Sequence, residues 1–213
     1  MWTLLEMKQM SKFSKIIGKQ FSNPHGLFGK ICCIIMNVMN KRMYRTVISH
    51  INANENSTIL DIGYGNGYLI NKLYKRYKST IKGIEISKDM EQIATRKNKS
   101  GIKNGKVELL EADCCNLQFE QESFDIVTSI NTIYFWNDER KGLNEIFKVL
   151  KPDGCFYNTV YEKEWLQSLK FTREGFKFFT QDDYIKLGEE IGFSKIEIIP
   201  IKKNKSFIIK YIK

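Results

Sequence analysis

Apolar positions in this chain follow two different periods. Over residues 27–51 they fall at helical spacing, at Ile31, Ile34, Ile35, Val38, Met39, Val47 and Ile48, with a polar interruption at Asn40-Lys41-Arg42 that divides the stretch. Ahead of it, residues 1–20 set Met10, Phe13 and Ile17 against Lys8, Lys12, Lys15 and Lys19, the pattern of an amphipathic helix. The two are joined by a loop, 21–30, marked by Asn23-Pro24 and two glycines. From Thr58 onward short apolar runs alternate with helical segments. The pattern predicts strands near 58–62, 80–86, 107–111, 124–130, 155–161, 195–201 and 206–212, and helices over 68–77, 88–99, 138–150 and 181–191. Ser87 is placed to cap the second of these helices, Lys151-Pro152-Asp153-Gly154 reads as a turn, and Gly192 as a helix stop.

Strands separated by helices of this length build βαβ units and a largely parallel sheet covered on both faces. The two closing strands have no helix between them, so one of the seven is expected to be an antiparallel member at the edge. The expected architecture is a doubly wound α/β domain over 53–213 behind an N-terminal helical lid or cap, 1–52.

Composition narrows the class. Of 213 residues, 42% are hydrophobic and 27% charged, the balance of an ordinary globular protein. The apolar run at 31–39 is too short to span a bilayer, and the opening residues lack the order of a signal peptide, so a cytoplasmic location is expected. The formal net charge of +10 raises the question of an RNA, DNA or anionic-membrane partner, but the lysines recur throughout the chain and form no dense block. The five cysteines show no C-x-x-C and there are two histidines, which argues against a structural metal and for reduced, packed thiols.

The chemistry concentrates at T-I-L-D-I-G-Y-G-N-G-Y-L-I, residues 58–70: a strand, a turn with Gly63, Gly65 and Gly67, then a helix. Such a turn lets backbone approach a ligand closely and aims free N–H groups at it. The spacing is not the dinucleotide G-x-G-x-x-G, and no P-loop lysine follows. Glu85 closes the second strand, where a carboxylate can accept both hydroxyls of a ribose.

In order along the chain, I-L-D-I-G-Y-G-N-G-Y-L-I, G-I-E-I-S, E-A-D-C-C-N-L, F-D-I-V-T-S-I and V-L-K-P-D-G-C-F resemble a class I S-adenosylmethionine-dependent methyltransferase of the small bacterial type-11 group. The signals cover about 58–156, and the 178–193 stretch is similar to that group's last helix. The resemblance implies a Rossmann-like fold, S-adenosyl-L-methionine as cofactor and S-adenosyl-L-homocysteine as product. It also implies roles by position. Gly63 and Gly65 would pass close to the methionyl part, with Asp61 holding the turn and reaching the amino group. Glu85 would take the ribose diol, and Ile86 would pack on the adenine. Asp113 would accept from the adenine amine, with the Cys114 N–H on a ring nitrogen. Ser129 and Ile130 would present backbone to the methionyl amino group. Tyr64 stands where a small residue is common; its ring either enters the site or stiffens the turn.

Methyl transfer from a sulfonium needs alignment and exclusion of water more than a dedicated base. No triad is visible, so no catalytic residue is assigned; His25 and Tyr134 are candidates. On the acceptor side the candidates are His25, Tyr44, Asn131, Tyr134 and Tyr161, with Trp136 following the same strand. Enzymes that methylate base amines resemble one another in an N-P-P-Y-type motif after the fourth strand, where this chain reads S-I-N-T-I-Y, and no Pro-Cys nucleophile is present. A small-molecule acceptor is therefore favoured over nucleic acid; the alternatives are an RNA-modifying methyltransferase and a non-catalytic cofactor-binding or membrane-surface protein.

Overall fold

The computed structural model describes residues 36, 38–172 and 175–213. The segment 1–35, with its expected amphipathic helix and His25, lies outside them. Met36, Val38 and Met39 are helical, a turn falls at Asn40, and α1 (Lys41–His50) follows, so the polar interruption in the pattern does mark a break.

Seven strands form one sheet in the order β3-β2-β1-β4-β5-β7-β6. They are β1 (Thr58–Ile62), β2 (Thr80–Glu85), β3 (Val107–Glu111), β4 (Phe124–Ile130), β5 (Leu150–Tyr161), β6 (Lys195–Lys202) and β7 (Ser206–Ile212). The first five run parallel, and β7 runs against both neighbours. The helices are α2 (Tyr68–Tyr77), α3 (Lys88–Lys97), α4 (Lys99–Lys103), α5 (Glu139–Val149), α6 (Lys163–Ser168) and α7 (Gln181–Ile191). Strand order reverses between β1 and β4, so a crevice opens at the carboxyl ends of these strands. Ile62 of β1 sits level with Ile84 and Ser129, which brings the ends of β2 and β4 to the same height.

The doubly wound sheet matches the pattern, with local differences. The antiparallel strand expected at the edge is one place in from it. β7 is apolar along nearly its whole length and needs cover from both sides, whereas β6 carries Lys195, Glu197, Pro200 and Lys202 and tolerates the open edge. The expected turn at 151–154 is a bulge inside β5. Leu150 pairs with Phe124 and Cys155 with Ile126, and the residues between loop out with Asp153 at φ 61°. The helix expected over 88–99 breaks at Asn98, whose side-chain amide donates to the carbonyls of Gly67 and Ala94 and so closes α3. Ser87 stands at the N-cap position but its side chain makes no capping bond, whereas α7 has a full capping box from Thr180 and Asp183 and ends at Gly192. The short α6 was not visible in the pattern.

Helix α1 is bound to the sheet. Met43 and Val47 are buried in the common core, the Tyr77 hydroxyl donates to the Ile48 and Ile51 carbonyls, and the Tyr157 hydroxyl to the His50 carbonyl. No helix among the described residues is long and apolar enough to cross a membrane.

At the other end of the core α7 rests on β7 through Gly188. A Cβ there would lie 2.4 Å from the ring of Tyr211, which is fully buried and stacked on Phe156. Gly188→Ala gains about 1 kcal/mol of helix propensity but overpacks the core at a cost of about 1–3 kcal/mol. Denaturant unfolding is expected to show a net loss of about 1 kcal/mol rather than the gain that propensity alone predicts.

Candidate functional site

The glycine turn is suspended from the end of β2. The Gly63 N–H donates to the Ile84 carbonyl at 2.8 Å, and the Gly65 N–H to Glu85 Oε2 at 2.9 Å. Glu85 Oε1 accepts the N–H groups of Ile86, at 2.9 Å, and Ser87, at 3.2 Å. Burial holds the Glu85 carboxyl above its usual pKa, and these backbone donors pull the other way. Gly63 and Gly65 both take positive φ, at 67° and 52°. A Cβ on Gly63 would strike the Thr132 methyl at 2.4 Å, while one on Gly65 would meet nothing within 4 Å. The turn is therefore pressed against the β4 loop on one side and open on the other.

That open side faces a cleft bordered by Gly63, Tyr64, Gly65, Glu85, Ile86, Asp113, Cys114, Ile130 and Asn131, with Tyr44 of α1 across from them. Ile86 is 51% exposed there, a large apolar side chain with no cover. Asp113 is fixed by the Cys115 N–H, at 2.9 Å, and by the Asn137 amide, at 3.3 Å. Two expected site residues lie beneath the cleft and do not border it. Asp61 is buried and accepts from the Thr128 hydroxyl at 2.7 Å; Ser129 shares a 2.5 Å hydrogen bond with Thr132. Tyr64 borders the cleft and also packs beneath it. Its ring packs into the space above Gly83, where a Cβ would lie 2.7 Å from it, so the ring braces the turn.

A family profile for the methyltransferase domain matches residues 60–158. The putative methyltransferase YrhH of Bacillus subtilis is 32% identical over 139 residues, 62% of this chain and 76% of that protein. The chain belongs to the class I S-adenosylmethionine-dependent methyltransferases. A further relative is the chloroplastic 2-methyl-6-phytyl-1,4-hydroquinone methyltransferase of Arabidopsis thaliana, 28% identical over 66% of this chain and 41% of that protein. Among solved structures, a putative S-adenosyl-L-methionine-dependent methyltransferase of Methanococcus maripaludis superposes with a TM-score of 0.65 at 22% identity, over 97% of this chain and 91% of that one. The fold is shared with it.

In this methyltransferase the remaining candidates sit around a second, smaller cavity next to the cleft. Tyr134 and Tyr161 border it, and Asn40, Asn131 and Phe135 border both cavities. Tyr134 is almost fully buried; its hydroxyl accepts the Tyr161 N–H at 2.6 Å and so braces β5, and burial pushes its pKa well up. Asn40, Thr132 and Asn137 were not singled out from sequence. Of these, Asn40 had left a trace, as the polar break in an apolar helical run. Asp113, Cys114 and Cys115 bring ligand-type atoms within 4.8 Å of one another. Burial raises the pKa of the Cys114 thiol, which disfavours its metal-binding thiolate form, and the Cys115 thiol donates to the Asp138 carbonyl.

Burial pushes Asp61 from 3.8 to about 7, the Thr128 bond opposing and the Glu85 charge adding to the rise. In the unfolded chain Asp61 gives up its proton near pH 4, while the native carboxyl keeps it to about pH 7. The unfolded state thus binds fewer protons over this window, and stability falls as pH rises through it. Asp61→Asn stays neutral and lacks that fall. Urea unfolding at about pH 4 and about pH 7 should show the variant gaining on the parent protein at the higher pH.

Proposed function

We propose that the cleft holds S-adenosyl-L-methionine against the glycine turn and passes its methyl group to a small, largely apolar acceptor entering from the second cavity. The carrying observation is the cleft's composition: a carboxylate fixed by backbone donors, an uncovered apolar side chain beside it, and an open glycine, all on one wall. These suit the parts of the cofactor. A carboxylate has about four acceptor positions; Glu85 uses three on backbone N–H groups, leaving Oε2 able to accept from a ribose hydroxyl. Ile86 offers its exposed face to the adenine, and Asp113 and the Cys114 N–H lie at the same end. Gly63, Gly65 and Ile130 flank the methionyl end, with Asp61 and Ser129 supporting them from below.

The bound cofactor supplies a methyl on a positively charged sulfur: an acceptor lone pair forms the new bond to carbon as the carbon–sulfur pair returns to sulfur, leaving S-adenosylhomocysteine. The chain's part is to align and to exclude water. The Tyr44 ring, packed 4.9 Å from that of Tyr68, and Met36 border the cleft from the α1 side, so the described part of the N-terminal segment serves as its cover. The hydroquinone methyltransferase relatives, named for an apolar hydroxylated ring, support an acceptor of similar character.

Calorimetric titration with S-adenosylhomocysteine tests the assignment. The parent protein should bind, and Glu85→Ala should bind about 10- to 100-fold more weakly, the loss expected for hydrogen bonds to a charged group. No heat at millimolar ligand from the parent protein, or unchanged affinity in the variant, refutes it.

A further inference from the structure

The helices of this fold lie in two layers of opposite charge. Right-handed crossovers from β1 through β2 to β3 put α2, α3 and α4 on one face of the sheet, and the crossover from β4 to β5 puts α5 on the other. Helix α1 belongs to the first layer, held to α2 by the Tyr77 hydroxyl and the Tyr44–Tyr68 ring contact. Helix α7 belongs to the second, joined to α5 by the Arg140–Glu190 ion pair. Counting Lys and Arg against Asp and Glu, α1 to α4 carry +3, +3, +1 and +2, nine positive in all, whereas α5 and α7 carry +1 and −3. Helical cations that look evenly spread along the chain are gathered by the fold on one side.

The cations of α1 and α2, Lys41, Arg42, Arg45, Lys72, Lys75 and Arg76, are all exposed, and none forms an ion pair among the described residues. Lys41 and Arg45 stand one turn apart, as do Lys72 and Arg76, a like-charge spacing that weakens a helix. A negative surface laid against them would relieve it. Helical hydrogen bonds from the Asn40 N–H to the Met36 carbonyl and from the Tyr44 N–H to the Asn40 carbonyl keep the spacing across the turn at Asn40. Positions 38, 41, 42 and 45 therefore form one stripe, and 36, 40 and 44 the opposite one. The inner stripe borders the cleft. The outer stripe adds Val38 to its three cations, and at 72% exposure Val38 is the barest large apolar side chain among the described residues. No lysine or arginine borders the cleft itself among the described residues, so the positive charge does not lead a phosphate chain into the site. A broad cationic face with an apolar side chain at its edge has the composition of a bilayer-surface contact.

We propose that the outer surface of α1 and α2 docks on an anionic lipid bilayer, with Val38 entering the headgroup boundary. One helix then carries both contacts, the bilayer on its outer stripe and the cleft on its inner one. The α1 side of the cleft is thereby held at the surface where an apolar acceptor partitions, a consequence that rests on the proposed methyl transfer to such an acceptor. The docking contact itself stands on the charge layer and Val38.

The test is co-sedimentation of the full chain with vesicles of phosphatidylcholine alone or of phosphatidylcholine with about one-third phosphatidylglycerol. Binding should be at least about tenfold tighter to the anionic vesicles and should weaken as salt rises. Lys41→Gln, Arg42→Gln and Arg45→Gln together should lower that affinity by about 100-fold, about fivefold for each charge removed. S-adenosylhomocysteine binding should survive in this variant, which shows that it folds. Lys141→Gln, Lys148→Gln and Lys186→Gln together remove the same charge from the other layer and should change vesicle affinity by less than about threefold. Val38→Ser should weaken vesicle binding by about threefold at every salt concentration, because the loss is of apolar contact. No preference for anionic vesicles, equal losses in the two triple variants, or vesicle binding that the α1 variant leaves unchanged overturns the proposal. If the α1 variant keeps vesicle binding but loses its hold on an RNA hairpin, the surface belongs to nucleic acid. Failure of the parent protein to bind S-adenosylhomocysteine is a different result: it overturns the cofactor assignment and leaves the vesicle comparison to decide the docking surface.

Discussion

The Glu85 carboxylate is the contact on which the site depends. It is a nearly buried acid at the end of β2, and its cost in desolvation is offset by three backbone N–H groups, two from the residues that follow it and one from Gly65 in the turn after β1. A positive-φ glycine turn has few side chains to fix its shape. Here the shape is set from outside, by a charged acceptor on the neighbouring strand. The parallel register that puts Ile62 beside Ile84 is what brings the two within reach.

The turn is braced on its other sides as well. Tyr64 packs into the space that Gly83 leaves in β2, and Gly63 lies against Thr132 so closely that no side chain fits between them. Thr132 in turn bonds Ser129 and accepts from the Trp136 indole. The ends of β1, β2 and β4 thus form one interlocked floor. For a transfer whose demands are alignment and dryness, a floor assembled before the ligand arrives is the useful property.

Much of that floor was legible in the sequence because its causes are local. The strand, the glycines and the helix start lie within thirteen consecutive residues, and Glu85 and Asp113 each close or follow a strand that the apolar pattern already marks. What escaped was decided by neighbours. Burial on both faces of β7, against the charge and proline of β6, fixed which strand took the edge, and the Asn98 side chain broke a helix that spacing alone would have continued. The role of Tyr64 turned on an empty position, Gly83, nineteen residues away in the chain (83 − 64).

The junction of the two cavities was only partly legible in the sequence: Asn131 and Tyr161 were candidates, but Asn40, which joins them, was not. The first and last of the three are separated by 121 positions, and none belongs to a motif. A cofactor common to many enzymes is met largely by backbone, whose geometry a short pattern of glycines can encode. An acceptor peculiar to one enzyme is met by side chains that only the finished fold brings together. The Asn40 amide illustrates the difference. In sequence it is a polar fault in an apolar helix; in the fold its side-chain oxygen accepts from Asn131 and Tyr161 between a polar cleft and an apolar slot. Its meaning comes from what surrounds it.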